Sequence, residues 1–317
     1  MNKLTAKGIV TSICVTMMFI AASTLSTSCQ KDLYYPPLNT SVEMKFNWEG
    51  QLPDSSTRMR LYIYPETGSL YTQDITNYNG GMVNMPTGLH KVIAINAKDD
   101  DVDVVASTYE TTYVTTNTTT VLAPMSLPYM GAAPRPAESV DEPVKQQAPL
   151  LYADTCSMLR VKAGENIIEM SPKSIVDTID IMIKGITNIK YLEASSVAVS
   201  GLPMGYLLSK MEPMSECCTM VTGMDIANGN SLSGRLVVFG RPKKDDGKKI
   251  IMTLYTVLGD GSKYFFNYDV TEKVTMAEAG KSIVIEIEEL TLPEPANNGG
   301  FNPQMGEWVE MSEEIMV

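Results

Sequence analysis

Ser41-Val42-Glu43-Met44-Lys45-Phe46-Asn47-Trp48 is the stretch that decides the fold class. Val42, Met44, Phe46 and Trp48 fall on one side of an extended chain, and Ser41, Glu43, Lys45 and Asn47 on the other. This two-residue period is that of a half-buried β-strand. It returns in Arg58–Tyr64 around Met59, Leu61 and Ile63, in Ser174–Ile186 around Ile179, Ile181 and Ile183, and in Ser282–Leu290 around Ile283, Ile285 and Ile287. Leu89–Ala97 is apolar on both faces, as a central strand is. Turn residues punctuate the series: Pro53-Asp54-Ser55, Pro65-Glu66-Thr67-Gly68, Asn79-Gly80-Gly81 and Gly259-Asp260-Gly261-Ser262. The last joins Ile250–Leu258 to Lys263–Val270 in the clearest hairpin of the chain. No segment sustains a helical period, although Tyr191–Ser196 reads as one helical turn. The pattern predicts an all-β protein built from antiparallel sandwiches.

Six prolines, Pro124, Pro128, Pro134, Pro136, Pro143 and Pro149, crowd residues 123–150. Proline removes a ladder donor, so this stretch reads as an extended connection with Val121–Met130 still packed on the first domain. The expected organisation is an N-terminal sandwich over 41–150, ending in that linker, and a C-terminal sandwich over 151–317. The latter closes on a terminal strand, Trp308–Val317, that puts Val309, Met311, Ile315 and Val317 on one face.

The first residues read as a targeting segment. Lys3 and Lys7 precede fifteen apolar or small residues, Gly8–Ala22, too few to span a bilayer, which takes about 20. The run continues to Leu25-Ser26-Thr27-Ser28-Cys29 and looks like a bacterial lipoprotein signal over residues 1–28, cleaved before Cys29 and acylated there. Its aliphatic residue, Leu25, sits four places before the cysteine, where the usual pattern has three. The competing reading is an ordinary secretory signal with an incidental cysteine. Residues 29–40, with Tyr34-Tyr35-Pro36-Pro37, form a tether, and Lys31-Asp32 resembles the charged signal that sends Bacteroidetes lipoproteins to the cell surface. Beyond residue 28 the chain holds 23 basic and 37 acidic residues, a net charge of −14. That balance argues against nucleic-acid partners and against electrostatic adhesion to anionic lipid.

Little chemistry is on offer. His90, the single histidine, lies in an apolar run and reads as a strand residue, which removes triads and histidine zinc sites. Cys156, Cys217 and Cys218 remain after the leader and Cys29; a link from Cys156 to either neighbour and three buried thiols both stay open. Asp99, Asp101, Asp103 and Glu110 are spaced like calcium-loop ligands, but Val104 stands where the loop needs glycine, so a solvated turn is the better reading. No phosphate loop, Cys-x-x-Cys or nucleophile elbow occurs, and no catalytic pair stands out. The expectation is a protein that is not an enzyme and has no cofactor or metal. Tyr34, Tyr35, Tyr62, Tyr64 and Tyr71 invite a sugar-binding platform, though tyrosines commonly just cover a sheet face.

The lipobox cysteine, Val42–Trp48 as Val-x-Met-x-Phe-x-Trp, and Met59-Arg60-Leu61-Tyr62-Ile63-Tyr64-Pro65-x-x-Gly68 together resemble the fimbrillin-like lipoproteins of Bacteroidetes. More narrowly they resemble a DUF5119-type group related to the Mfa2/FimB-like fimbrial anchors, with further echoes in Asp260-Gly261-Ser262-Lys263-Tyr264 and Glu307-Trp308. The resemblance implies two tandem transthyretin-like sandwiches. It also implies an outer-membrane, cell-surface protein whose partners are fimbrial or pilus subunits. Strand complementation is the expected means, through Val42, Met44, Phe46 and Trp48 or through Val309, Met311, Ile315 and Val317. Related stalk subunits are cut after an arginine behind the first strand, which makes Arg58 a candidate processing site. Its alternation with Arg60 favours a plain strand role. The alternative function is a surface glycan-binding lipoprotein of a polysaccharide-uptake system.

Overall fold

The computed structural model describes residues 39–48, 58–97, 100, 102–127, 131–242, 247–277, 282–295 and 306–311. The leader, Cys29, the tether tyrosines, Asp99, Asp101, Ile315 and Val317 lie outside the described residues. The chain first lays down β1 (Asn39–Phe46), β2 (Met59–Pro65), β3 (Tyr71–Ile75), β4 (Gly80–Pro86) and β5 (Gly88–Ile95). β6 (Val102–Val105), β7 (Tyr113–Thr116), β8 (Val144–Gln146), β9 (Tyr152–Val161), β10 (Asn166–Met170) and β11 (Lys173–Ser174) follow. Next come β12 (Asp177–Lys184), β13 (Leu192–Pro203), β14 (Gly205–Leu207), β15 (Glu212–Pro213), β16 (Cys217–Gly223) and β17 (Asp225–Ala227). The last elements are β18 (Ser231–Val238), β19 (Ile251–Leu258), β20 (Lys263–Asp269), the single-turn helix α1 (Thr271–Thr275), β21 (Ile283–Glu288) and β22 (Trp308–Glu310).

Two sandwiches result. The first packs a three-stranded sheet, β10-β1-β4, on a five-stranded one, β11-β9-β5-β2-β3. Val42, Met44 and Phe46 of β1 meet Met59, Leu61 and Ile63 of β2 and Val92 and Ala94 of β5 in one core, as the alternation predicts. Because β9 pairs antiparallel with β5 and β10 parallel with β1, the first sandwich draws on residues well past 150. The expected boundary therefore falls inside it: the proline-rich stretch is an excursion, after which the chain returns to complete both sheets.

The second sandwich sets β17-β18-β12-β21 against β22-β20-β19-β13-β16-β8. Ile179, Ile181 and Ile183 of β12 and Ile283, Ile285 and Ile287 of β21 point inward beside Val197, Val199, Leu254 and Phe266. Of Tyr191–Ser196, expected as one helical turn, Tyr191 closes a 3-10 turn at Ile189–Tyr191, and the rest opens the long strand β13 instead. Of the stretch expected to pack on the first domain, Val121–Met130, the described residues 121–127 lie on the second sandwich instead. Val121, Leu122 and Met125 cover Ala198, Val221, Tyr255 and Phe265 on the outer face of the six-stranded sheet. Arg135 pins the strap further on, donating to the carbonyls of Ser139, Val140 and Glu142, while the Glu142 carboxylate accepts the Gly201 amide and the Thr219 hydroxyl. Polar groups thus hold a segment that proline keeps out of the ladders.

A fifth sheet, β15-β14-β7-β6, ties the sandwiches together, since β7 precedes the strap and β14 follows β13. At Gly205 a β-carbon would stand 2.3 Å from the Val114 carbonyl oxygen, so only glycine lets β14 approach β7. Tyr62, Ile93 and Ile95 on the second face of the five-stranded sheet join Val114 in the same core that fills the second sandwich. This explains the two-sided apolarity of Leu89–Ala97.

Candidate functional site

The two candidate exchange segments occupy opposite positions. β1 is a central strand, paired antiparallel with β4 over Asn39–Lys45 and parallel with β10 over Val42–Phe46. Val42, Met44 and Phe46 are at most 4% exposed, so β1 fills its place and presents no open edge, contrary to expectation. Trp48 lies just past β1, donating its indole N–H to the Tyr78 carbonyl at 2.7 Å and meeting Tyr152 edge-on.

β22 stands at the end of the six-stranded sheet, paired among the described residues on one side only, parallel to β20 through Lys263↔Trp308, Tyr264↔Val309 and Phe265↔Glu310. Trp308 is the anchor of this strand, and Val309, expected to share a face with Met311, is 43% exposed. The Trp308 ring meets Tyr255 edge-on at 5.4 Å, and Lys263 Nζ lies 6.0 Å from its centroid. The cause is the strap, which makes the outer face of this sheet a second apolar surface. Met311 is half-buried against the main core, its amide donating to the Phe265 carbonyl.

Arg58 sits immediately before β2. Its guanidinium is 3.7 Å from Asp74 of β3, and Arg60 makes a two-pronged bond to the same carboxylate, at 2.7 Å and 3.1 Å. These bonds, the Arg60 one foremost, hold the Asp74 carboxyl below its ordinary value. Both arginines lie on the polar side of the strand, as their alternation predicts.

The remaining candidates scatter. Tyr62 is buried in the main core and Tyr71 is packed against the first-sandwich core, so with Tyr64 they form no common platform. Burial pushes the Tyr71 hydroxyl up to about 12. Cys156, Cys217 and Cys218 are free thiols; Cys156 lies on β9, away from the pair on β16, and burial pushes Cys218 upward in pKa. His90 is a buried residue of β5 whose Nε2 donates to the Pro86 carbonyl at 2.8 Å. Glu110 is paired with Lys91, which, as the first cause, lowers its pKa; Asp103 lies on strand β6.

Sequence reasoning missed a cleft of about 550 Å3 beside β5. Tyr64 and Tyr109 stand edge to face, centroids 5.8 Å apart. Thr112 Oγ1 donates to the Thr108 carbonyl, so it must accept from Tyr64; Tyr109 bonds Thr155 at 2.7 Å. Lys91 Nζ lies 5.1 Å from the Tyr109 centroid. Glu66, Ser107, Ser157 and the outward Met158 complete the lining. The only signal in the sequence was Tyr64 itself; Tyr109, Lys91 and Met158 meet it through pairings of distant strands.

A structure of a candidate adhesin from Bacteroides ovatus superposes with a TM-score of 0.58 at 17% identity, over 90% of this chain and 98% of that one. A second candidate adhesin from the same species gives 0.48 at 11%, over 82% and 91%. The fimbrial anchor protein Mfa2 from Porphyromonas gingivalis gives 0.47 at 8%, over 78% and 89%. At these identities the likeness concerns the fold. No curated protein matches the sequence. The family described as a domain of unknown function, DUF5119, matches residues 28–223, more than half of the chain, and the protein belongs to that family.

Proposed function

We propose that this protein is a cell-surface lipoprotein, held in the outer membrane through a lipid on Cys29, that anchors a fimbria or serves as its minor subunit by strand complementation. The observation that carries the reading is the asymmetry of the two terminal strands. β1 is locked on both sides, whereas β22 is three residues long, bonded among the described residues on one side, and turns Val309 outward. A strand so placed can leave its edge for a neighbour, or admit a neighbour's strand beside it, because exposed backbone groups template pairing. In this reading Val309, Met311, Ile315 and Val317 belong to the exchanging segment. Val42, Met44, Phe46 and Trp48 keep the anchor's body intact, and Arg58 remains uncut so that body and lipid stay joined. Fold likeness to a candidate adhesin supports a surface role.

A photo-crosslinking residue at Val309, irradiated on intact cells, should capture fimbrial subunits. Capture of none, with the protein present at the surface, overturns the complementation reading. Metabolic labelling with a fatty-acid probe tests the anchor separately: Cys29→Ala should abolish the label and release the protein.

A further inference from the structure

We propose that the cleft beside the packed Tyr64–Tyr109 pair is a binding site for a neutral oligosaccharide. The inference stands apart from strand complementation, because the cleft lies on a sheet face away from β22.

Its walls are fixed. Each tyrosine hydroxyl donates to a threonine, Tyr64 to Thr112 and Tyr109 to Thr155, so both rings are held before any ligand arrives. Each phenolic oxygen keeps a lone pair as an acceptor. Rigid aromatic walls spare the ligand the cost of ordering side chains. The volume, about 550 Å3, falls within the about 300–1,000 Å3 of small-ligand sites.

The rim decides the ligand class. Lys91 supplies donors, Glu66 and Glu110 supply acceptors, and the exposed Met158, 76% accessible, supplies an apolar edge. Donors and acceptors side by side suit hydroxyls, which both give and take hydrogen bonds, over apolar ring faces. Two carboxylates against one ammonium, on a strongly acidic chain, disfavour acidic sugars and nucleotides. A peptide strand would need an unpaired ladder, and β5, at the floor of the cleft, is bonded by β2 and β9 on both sides.

The test is titration calorimetry of the full mature protein against maltohexaose, cellohexaose, xylohexaose and mannohexaose, with an acidic pectin fragment and an extended peptide as controls. At least one neutral hexasaccharide should bind. Glu66→Gln and Lys91→Gln should each weaken it by about tenfold, the expected effect of one lost hydrogen bond to a charged group. Met158→Ala should weaken it less, and thermal unfolding of these rim variants should match the parent. Tyr64→Phe, which keeps the ring, should retain binding. Absence of binding by all four sugars, binding unchanged by both rim substitutions, or binding of the pectin fragment or the peptide alone overturns the proposal.

Discussion

β1 and β22 end the described body on either side, and they are held by opposite means. β1 pairs over seven residues with β4 and over five with β10, and buries three core side chains. β22 makes three residues of ladder with one neighbour and is held otherwise by the Trp308 indole set edge-on to Tyr255, by the Asn267–Glu310 hydrogen bond and by Met311 just past it. The lesson is that the same alternating pattern in a terminal segment serves two ends. Where both flanks are occupied it makes a structural keel; where one is open it makes a surface that other chains can reach.

The comparison is broken most severely at Gly80. Its φ is +128°, and a β-carbon there would stand 2.0 Å from the Met44 carbonyl oxygen, so Gly80→Ala must push β4 off β1. We expect a loss of about 3 kcal/mol or more from clash and backbone strain together. Met44→Ala, which leaves the ladders intact, should cost about 2–5 kcal/mol by cavity formation. Denaturant titration followed by Trp48 fluorescence measures both; if either variant retains parental stability, β1 is not the keel described.

Gly205→Ala sharpens the comparison from the other direction, because it strikes the sheet that binds the sandwiches into one core. The parent should melt in a single calorimetric transition, given the continuous packing from Ile93 to Leu254. Separating β14 from β7 should split that transition in two. A parent that already shows two would mean that the junction transmits little stability.

Trp308→Ala comes next. The ring is half-buried on Tyr255 and Phe265, so its loss should cost about 1–3 kcal/mol, less than full burial would imply. Because the chain melts as one unit, the Trp48 fluorescence transition should report that same loss. If Trp308→Ala proves as damaging as Met44→Ala, β22 is not a releasable strand.

Much of the fold was legible because alternation is local: Val42/Met44/Phe46, Ile179/Ile181/Ile183 and Ile283/Ile285/Ile287 all face cores as their spacing requires. What stayed hidden was pairing across long gaps. Nothing in Asn166–Met170 announces a parallel partner in Asn39–Phe46, and nothing in Gly205–Leu207 points to Tyr113–Thr116. Alternation also says which residues share a face without saying which face is covered. Hence the spacing grouped Val309 with Met311 without showing that Val121, Leu122 and Met125, which carry no strand signal, would cover the outer face on which Trp308 sits. The cleft was illegible for the same reason, since Tyr64, Lys91, Tyr109 and Met158 belong to four segments joined only by the fold.

The smallest effect is expected where β1's return path is tied down. Arg58 and Arg60 converge on Asp74, whose carboxyl is held below its ordinary value chiefly by the Arg60 hydrogen bonds. A carboxylate depressed in the folded state adds stability above its unfolded pKa, and that contribution fades as pH falls through the folded value. Asp74→Asn should therefore cost about 0.5–1 kcal/mol at neutral pH, the scale of a well-aligned surface pair. The gap between variant and parent should narrow below about pH 4 and close in stronger acid. The same substitution loosens Arg58 and should quicken limited trypsin cleavage after it, with β22 and its Val309 crosslinks untouched. A cut at Arg58 that altered those crosslinks would show the two ends of the chain to be coupled, and the division between keel and exchangeable strand would fail.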